Sequence, residues 1–555
     1  MLAHRASIRV RVTLALTALT TMFVPSARAQ SPTSQTGNSD KETGATQVSR
    51  LGNGENKLDV QASKAGNLES EVTAVKTENI ALREQLNRVE EQQKMLLEVV
   101  NDLKQRLGSP PTPIAGDASS SSQQNFTATQ EQAAAVTNVS VPRAPAAQPE
   151  SVPAPQTKDG RYRDGIVIWE TPEDAGVPFL LRLQGTTQAR YLNTLDSNNT
   201  FTDHLGVTRD VNKRNDITVN RSMMVFGGYI FDKRAQYSFT IWTSAGAASI
   251  VVAGNIGWQF SKAFTLTGGY FGVPGSRSLV GTFPFFTAND RTMADNFFRP
   301  GFTQGAVANG ELVKGLNYLA MVGNGLNTLN VAASKIDTNL LVSGSLWWEP
   351  LGDYGPPGRS RNMYDDYFSS RKVRIRLGTS FTRSRENRFS DLDQSSPENT
   401  SIYNSDGVQA FATGAFAPGV TLQDATYKMS AIDYGIKWNG LAVNGQYFMR
   451  WLNDFVADGP LPLASTFDHG AEVSASYFVK PKKLMPYVRA SWVRGRFADP
   501  YEYGAGLRWY YLHTERLWLN AEVFHINGAP YSGTFTPYTA GMTGWAPMVQ
   551  AYIAF

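Results

Sequence analysis

Residues 372–383 read KVRIRLGTSFTR. In an extended chain side chains alternate between two faces, so Val373, Ile375 and Leu377 share one face while Lys372, Arg374 and Arg376 share the other. A soluble sandwich would turn such an apolar face into a core and its charges to solvent. A membrane barrel inverts this, with the apolar face outside and the charges in a wet lumen. The period alone does not choose between the two, but the rest of the chain does.

Outward from this stretch, residues 161–555 contain no helical pattern longer than a couple of turns. They contain instead sixteen alternating segments bounded by turn residues, beginning with 179–191, 217–231, 234–243 and 250–260 and ending with 501–513, 516–526 and 546–555. The connections alternate between tight ones, such as Asp232-Lys233, Val313-Lys314 and Asn439-Gly440, and long ones at 192–216, 274–302, 385–426 and 527–545. Short turns at one end and long loops at the other belong to a transmembrane barrel. Residues 350–371 break the rule, being long on the short-turn side. Segments of about ten residues match a tilted bilayer span, whereas soluble strands average about five or six. Trp347, Trp348 and Trp509-Tyr510-Tyr511 crowd segment ends as an interfacial girdle would. The chain closes with VQAYIAF, placing Val549, Ala551, Ile553 and Phe555 on one face and Gln550 and Tyr552 on the other. A terminal Phe on such a strand resembles the signal read by the barrel-assembly machinery. The expected fold is all-β, a 16-stranded antiparallel transmembrane β-barrel over 161–555.

The chain has 555 residues, and what precedes the barrel reads as an address and a rod. Arg5, Arg9 and Arg11 precede an apolar run from Val12 to Val24, followed by Ala27-Arg28-Ala29. This is the pattern of a Sec signal peptide over 1–29. Residues 30–65 lack the large apolar side chains needed to fold. Over 66–107 a heptad seam places Leu68, Val75, Leu82, Val89, Leu96 and Leu103 at d, and Val72, Asn79, Leu86, Gln93, Val100 and Leu107 at a. Apolar residues there specify a parallel coiled coil, and polar Asn79 and Gln93 set its register at some cost in stability; dimer and trimer both remain open. Residues 108–160 are a Pro/Ala/Ser-rich linker. The coiled coil is expected in the periplasm, the barrel in the outer membrane among its lipids.

Composition excludes several classes. With no Cys there is no disulfide framework, Cys-ligated zinc, iron–sulfur cluster or thiol nucleophile. A net charge of +4 is too weak a bias for a nucleic-acid partner. His204, His469, His513 and His525 are scattered without metal-ligand spacing, so no enzyme, metal or cofactor is expected. Tyr364-Asp365-Asp366-Tyr367 offers two acids, too few for a calcium site, and reads as a solvated loop.

Three stretches carry a family resemblance. They are LLRLQGTTQARY at 180–191, NRSMMVFGGYIFDKRAQYSFTI at 220–241 with FTLTGGYFGVPGS at 264–276, and NDRTMADNFFRPGFTQGAVANGELVKGLNYLAMVGNG at 289–325. In these the chain resembles the phosphate-selective porin O and P family. That resemblance implies a homotrimer of sixteen-stranded barrels, each narrowed by an inward-folded third loop. The loop candidate, 274–302, supplies Arg277, Arg291 and Arg299. Parity adds Lys372, Arg374 and Arg376, Arg182 beside Gln184 and Gln188, and Arg489 and Arg508. A cationic row facing lipid would cost about 2–4 kcal/mol per residue at the midplane, so these are expected to face water and favour small inorganic anions. Asp290 and Asp295 stand beside the loop arginines and offer them partners. Selective phosphate binding, a general or weakly anion-selective pore, and an anchor tethering the cell wall through the N-terminal segment all stay open.

Overall fold

The structure is a computed structural model. It describes residues 161–163, 165–244, 250–281, 285–328, 336, 338–355, 363–387, 402–533 and 535–555. The expected signal peptide, the coiled coil with Asn79 and Gln93, and both linkers lie outside the described residues.

The strands are β1 (Ile166–Glu170), β2 (Phe179–Asn193), β3 (Thr200–Thr202), β4 (Thr208–Asp210), β5 (Asn215–Ile230), β6 (Asp232–Ser244), β7 (Ile250–Gln259), β8 (Thr265–Gly272), β9 (Phe302–Val313) and β10 (Leu316–Gly323). They continue as β11 (Leu341–Trp348), β12 (Arg374–Asn387), β13 (Leu422–Trp438), β14 (Leu441–Ala457), β15 (Thr466–Tyr477), β16 (Leu484–Arg494), β17 (Tyr501–Trp509), β18 (Leu517–Asn527) and β19 (Gly544–Ala554). Strand β2 and strands β5 to β19 pair antiparallel in chain order, and β19 returns to β2 through Gln550↔Arg190 and Ala554↔Thr186. The result is a closed 16-stranded barrel whose strands fall on the sixteen segments expected from the sequence.

Closure leaves a step, because β19 ends opposite Thr186 while β2 continues down to Phe179. Phe555 adds one more rung, exchanging backbone hydrogen bonds with Gly185 at 2.9 and 3.0 Å. Below it β1 covers the open edge, pairing Ile166 with Leu183 and Glu170 with Leu180. The step would otherwise expose unpaired N–H and C=O groups. Nothing in the alternation pointed to β1, nor to the small β3–β4 hairpin in the first long loop.

The two faces are inverted relative to a soluble protein. Along β12 Arg376, Ser380, Thr382, Ser384 and Glu386 are buried, while Leu377 and Phe381 are exposed. Val252, Ile256, Ile432, Val488, Leu507, Leu519, Val549 and Ile553 likewise stand exposed on the outer wall. Each large apolar side chain left in water forgoes roughly 1.5–3 kcal/mol, so this wall requires apolar surroundings. Among the girdle candidates Trp348 and Trp509 face outward, but Tyr510 is buried inside and Trp347 lies under Arg376, with guanidinium and ring centroid 5.0 Å apart.

Two local devices hold the register. Asn439 and Gly440, with φ of 50° and 87°, form a tight turn between β13 and β14 in which both residues adopt the left-handed region, as Asn-Gly does readily. In β5 the pairing jumps from Gln188↔Arg221 to Ala189↔Val219, making Asn220 the extra residue of a bulge. Ile217 and Val219 face outward, and without the bulge Arg221 would follow them onto lipid. With it, Arg221 is buried in the lumen. Deleting Asn220 would make Arg221 and Val219 consecutive rungs opposite Gln188 and Ala189 with both faces kept, so the barrel is expected to survive, whereas deleting Thr218 shifts the parity of the strand before the bulge and should cost the compact, heat-modifiable band on refolding into detergent. Loss of the band on deleting Asn220 would contradict this account of the bulge.

Candidate pore and its constriction

The third connection at the long-loop end, 273–301 between β8 and β9, turns into the barrel. Its described side chains are nearly all buried and reach the opposite wall. Within it helix α1 (Met293–Phe298) is capped by Thr292, whose hydroxyl accepts the Asp295 N–H at 3.2 Å. Three wall glutamates grip this loop. Glu522 on β18 accepts the Asn289 N–H at 3.3 Å, Glu502 on β17 the Met293 N–H at 2.7 Å, and Glu472 on β15 the Thr292 hydroxyl at 2.5 Å. Ser491 on β16 accepts the Ala294 N–H at 3.2 Å. Three main-chain N–H groups and one hydroxyl of the loop thus meet acceptors on four adjacent strands, which fixes the loop across the lumen.

A second inward segment comes from the other end: the long connection on the short-turn side, 349–373. Tyr354, Met363, Tyr364, Asp365 and Tyr367 are buried. Lys437 donates to the Tyr354 and Met363 carbonyls at 3.1 and 2.6 Å, and Asn444 bonds the Tyr354 hydroxyl at 2.7 Å and the Tyr364 carbonyl at 2.9 Å. The two segments meet where the Tyr364 N–H donates to the Phe285 carbonyl at 3.0 Å and Arg277 lies 4.2 Å from the Tyr364 ring centroid. Asp365 and Asp366, weighed as a solvated pair, are instead buried struts. Asp365 accepts from Arg508 at 3.4 Å and Tyr510 at 3.1 Å, and Asp366 from Ser370 and from the Gly440 N–H at 2.7 Å.

Five of the expected pore cations come together in this lumen, each with a carboxylate oxygen within 4.0 Å. Arg277 and Arg376 share Asp433, at 4.0 and 2.9 Å. Arg291 faces Asp295 at 3.4 Å, Arg489 faces Glu522 at 2.5 Å, and Arg508 faces Asp365 at 3.4 Å. Gly378 makes the shared site possible, since a Cβ there would stand 2.0 Å from an Asp433 oxygen. The other four expected cations lie away from this cluster. Arg299 is half-buried at the end of α1, and Arg182, bonded at 3.1 Å to the Arg163 carbonyl, is half-buried near the short-turn end. Arg374 is at the rim on the Leu351 carbonyl, and Lys372 is exposed before the strand begins. The alternating row is thus cut short because β12 starts only at Arg374.

Sequence reading missed Arg190, Arg221 and Arg450. Arg190 and Arg450 obey the same parity and were legible in principle, whereas Arg221 depends on the bulge. Arg190 donates from Nη1 to the Phe535 carbonyl at 2.6 Å, while its Nε and Nη2 have no hydrogen-bond acceptor. Arg450 is held by Asp468 at 2.7 Å and lies 4.0 Å from the Phe297 ring centroid.

Between the loop and the wall remains a cavity of about 20 Å³, lined among others by Ser278, Asp290, Arg291, Asp295, Glu472 and Arg489. It has room for about one water. Burial, opposed by Arg291, pushes the Asp295 carboxyl above the usual carboxylate range, whereas at Asp290 Arg221 and Arg291 outweigh burial and hold the carboxyl below it. Burial, reinforced by Arg299, brings the Arg291 guanidinium down to about 10. His204 is engaged by Asp406 at 2.6 Å in the long loops, and His469 and His525 belong to outer-wall aromatic clusters. No group of three metal-binding side chains occurs among the described residues.

These shifts fix a sign. As pH falls through its raised range, Asp295 takes up a proton before ordinary carboxylates do and leaves Arg291 less compensated. Anion permeability relative to cation should therefore rise on acidification. Asp295→Asn should diminish that pH response, as read from reversal potentials; an unchanged pH response in that variant would contradict the assignment.

The fold and this lumen define the class as a membrane-spanning β-barrel with a constricted, charged interior. No protein-family model matches the sequence, and no curated protein does. Among solved structures it is similar to OmpT of Vibrio cholerae, at 11% identity over 70% of this chain and 100% of that one, TM-score 0.44. It is similar to the anion-selective porin of Comamonas acidovorans at 10% identity over 68% and 99%, TM-score 0.39. The channel DcaP of Acinetobacter baumannii matches at 10% identity over 70% and 99%, TM-score 0.36.

Proposed function

We propose that the chain is an outer-membrane channel for passive diffusion of small polar solutes, with a weak preference for anions. The observation that carries this reading is a closed barrel that turns its apolar side chains outward and its arginines and carboxylates inward, where a charged loop narrows the path. The carboxylates beside Arg277, Arg291, Arg376, Arg489 and Arg508 temper the positive field, so the preference is weak. Arg190, buried beside this lumen with no hydrogen-bond acceptor on its Nε and Nη2, adds positive potential through its field and not by direct contact with a solute. The reading extends to a homotrimer inserted by the barrel-assembly machinery through Phe555, and to kinship with the phosphate-selective porin O and P family that the sequence resembles. The reading also keeps the N-terminal coiled coil in the periplasm, where contact with the cell wall is compatible with transport.

In planar bilayers under a KCl gradient the reversal potential is expected to show anion preference, and Arg190→Gln to reduce the anion-to-cation ratio about twofold. Cation preference in the parent protein would contradict the proposal. Block of chloride current by phosphate would narrow the solute to phosphate, and absence of block would leave a general channel.

A further inference from the structure

The short-turn end carries a patch that neither the pore nor the barrel requires. Four connections lie side by side there, with the Asn439 N–H on the Ser370 carbonyl at 2.8 Å, the Phe478 N–H on the Gly440 carbonyl at 3.0 Å and the Tyr510 N–H on the Lys483 carbonyl at 2.9 Å. Between them they expose five cations, Arg371, Lys372, Lys480, Lys482 and Lys483. Lys482 lies 5.9 Å from the Phe368 ring centroid. The same connections also expose the apolar side chains of Val479, Tyr511 and Leu512. The acids of the same connections are withdrawn: Asp366 is buried against Ser370 and Gly440, and Glu515 is half-buried at 3.9 Å from Arg516. Residues 366–372, 478–483 and 510–516 thus present positive charge with no exposed carboxylate among the described residues.

We propose that this patch binds the headgroup of an anionic phospholipid in the leaflet around the short-turn end. Charge complementarity selects the phosphate, and the adjoining side chains meet the acyl chains just above it. A soluble acidic polymer would engage the lysines but gain nothing from Val479, Tyr511 and Leu512. Cations near an anionic leaflet act strongly and within a Debye length, so the site is salt-sensitive. The proposal rests on the barrel spanning a bilayer.

The test reconstitutes the full chain into phosphatidylcholine vesicles with and without phosphatidylglycerol, then counts lipids retained through detergent extraction by native mass spectrometry. Carbonate resistance of the vesicles reports insertion separately. The parent protein should retain phosphatidylglycerol about tenfold over phosphatidylcholine, and the triple variant Lys480→Gln, Lys482→Gln, Lys483→Gln should lose most of that preference while inserting normally. Equal retention of the two lipids, or an unchanged preference in the variant, overturns the proposal with the spanning reading intact. Preference abolished by an acidic peptide but insensitive to Leu512→Ser would overturn it in favour of a soluble acidic partner. Failure to insert into any vesicle would overturn the spanning reading first and this one with it.

Discussion

Lipid tails offer a polypeptide no hydrogen-bonding partner, and this one constraint orders the molecule. Every backbone N–H and C=O at membrane depth must find its partner inside the chain, which a closed sheet achieves and an open one does not. The ladder therefore runs without interruption from β2 to β19 and back. Where β19 falls short, Phe555 and then β1 continue the pairing along β2. The same constraint explains the Asn220 bulge, since a strand that carries Arg221 must turn that guanidinium away from hydrocarbon.

Inside the barrel the problem is reversed, because the charges withdrawn from lipid must be satisfied in a narrow space. The lumen solves it by pairing, with Arg376 on Asp433, Arg450 on Asp468 and Arg489 on Glu522. Breaking one buried pair leaves an uncompensated charge and costs several kcal/mol, so these pairs lock the inward segments as much as they tune a field. The third loop is accordingly a fixed crossbar, held by glutamates from one side and by Tyr364 and its neighbours from the other. Two inward segments meeting at Arg277 make a tighter interior than a single loop would.

Much of the barrel was legible in the sequence, because an alternating pattern with an apolar side and a period of two has little freedom in register. Strand β12 shows this plainly, and the long connection at 350–371 announced itself by breaking the turn rule. What could not be read were features set by partners distant along the chain. The carboxylates opposite the expected pore arginines sit on other strands, so the pairing of Arg489 with Glu522 has no local signature. Arg221 was hidden for a different reason: a bulge changes parity without changing composition. Lys372 and Arg374 were misplaced because parity says which way a side chain points and not where along the barrel its strand begins.

The chain contains no cysteine, so a single one can be introduced at 377 and at each position from 379 to 384 and spin-labelled in liposomes. Accessibility to lipid-soluble oxygen should alternate with a period of two, peaking at 377, 379, 381 and 383. The polar relaxant nickel–EDDA should favour 380, 382 and 384. Oxygen peaks at the even positions, or no alternation at all, would contradict an apolar wall facing lipid and a charged lumen within.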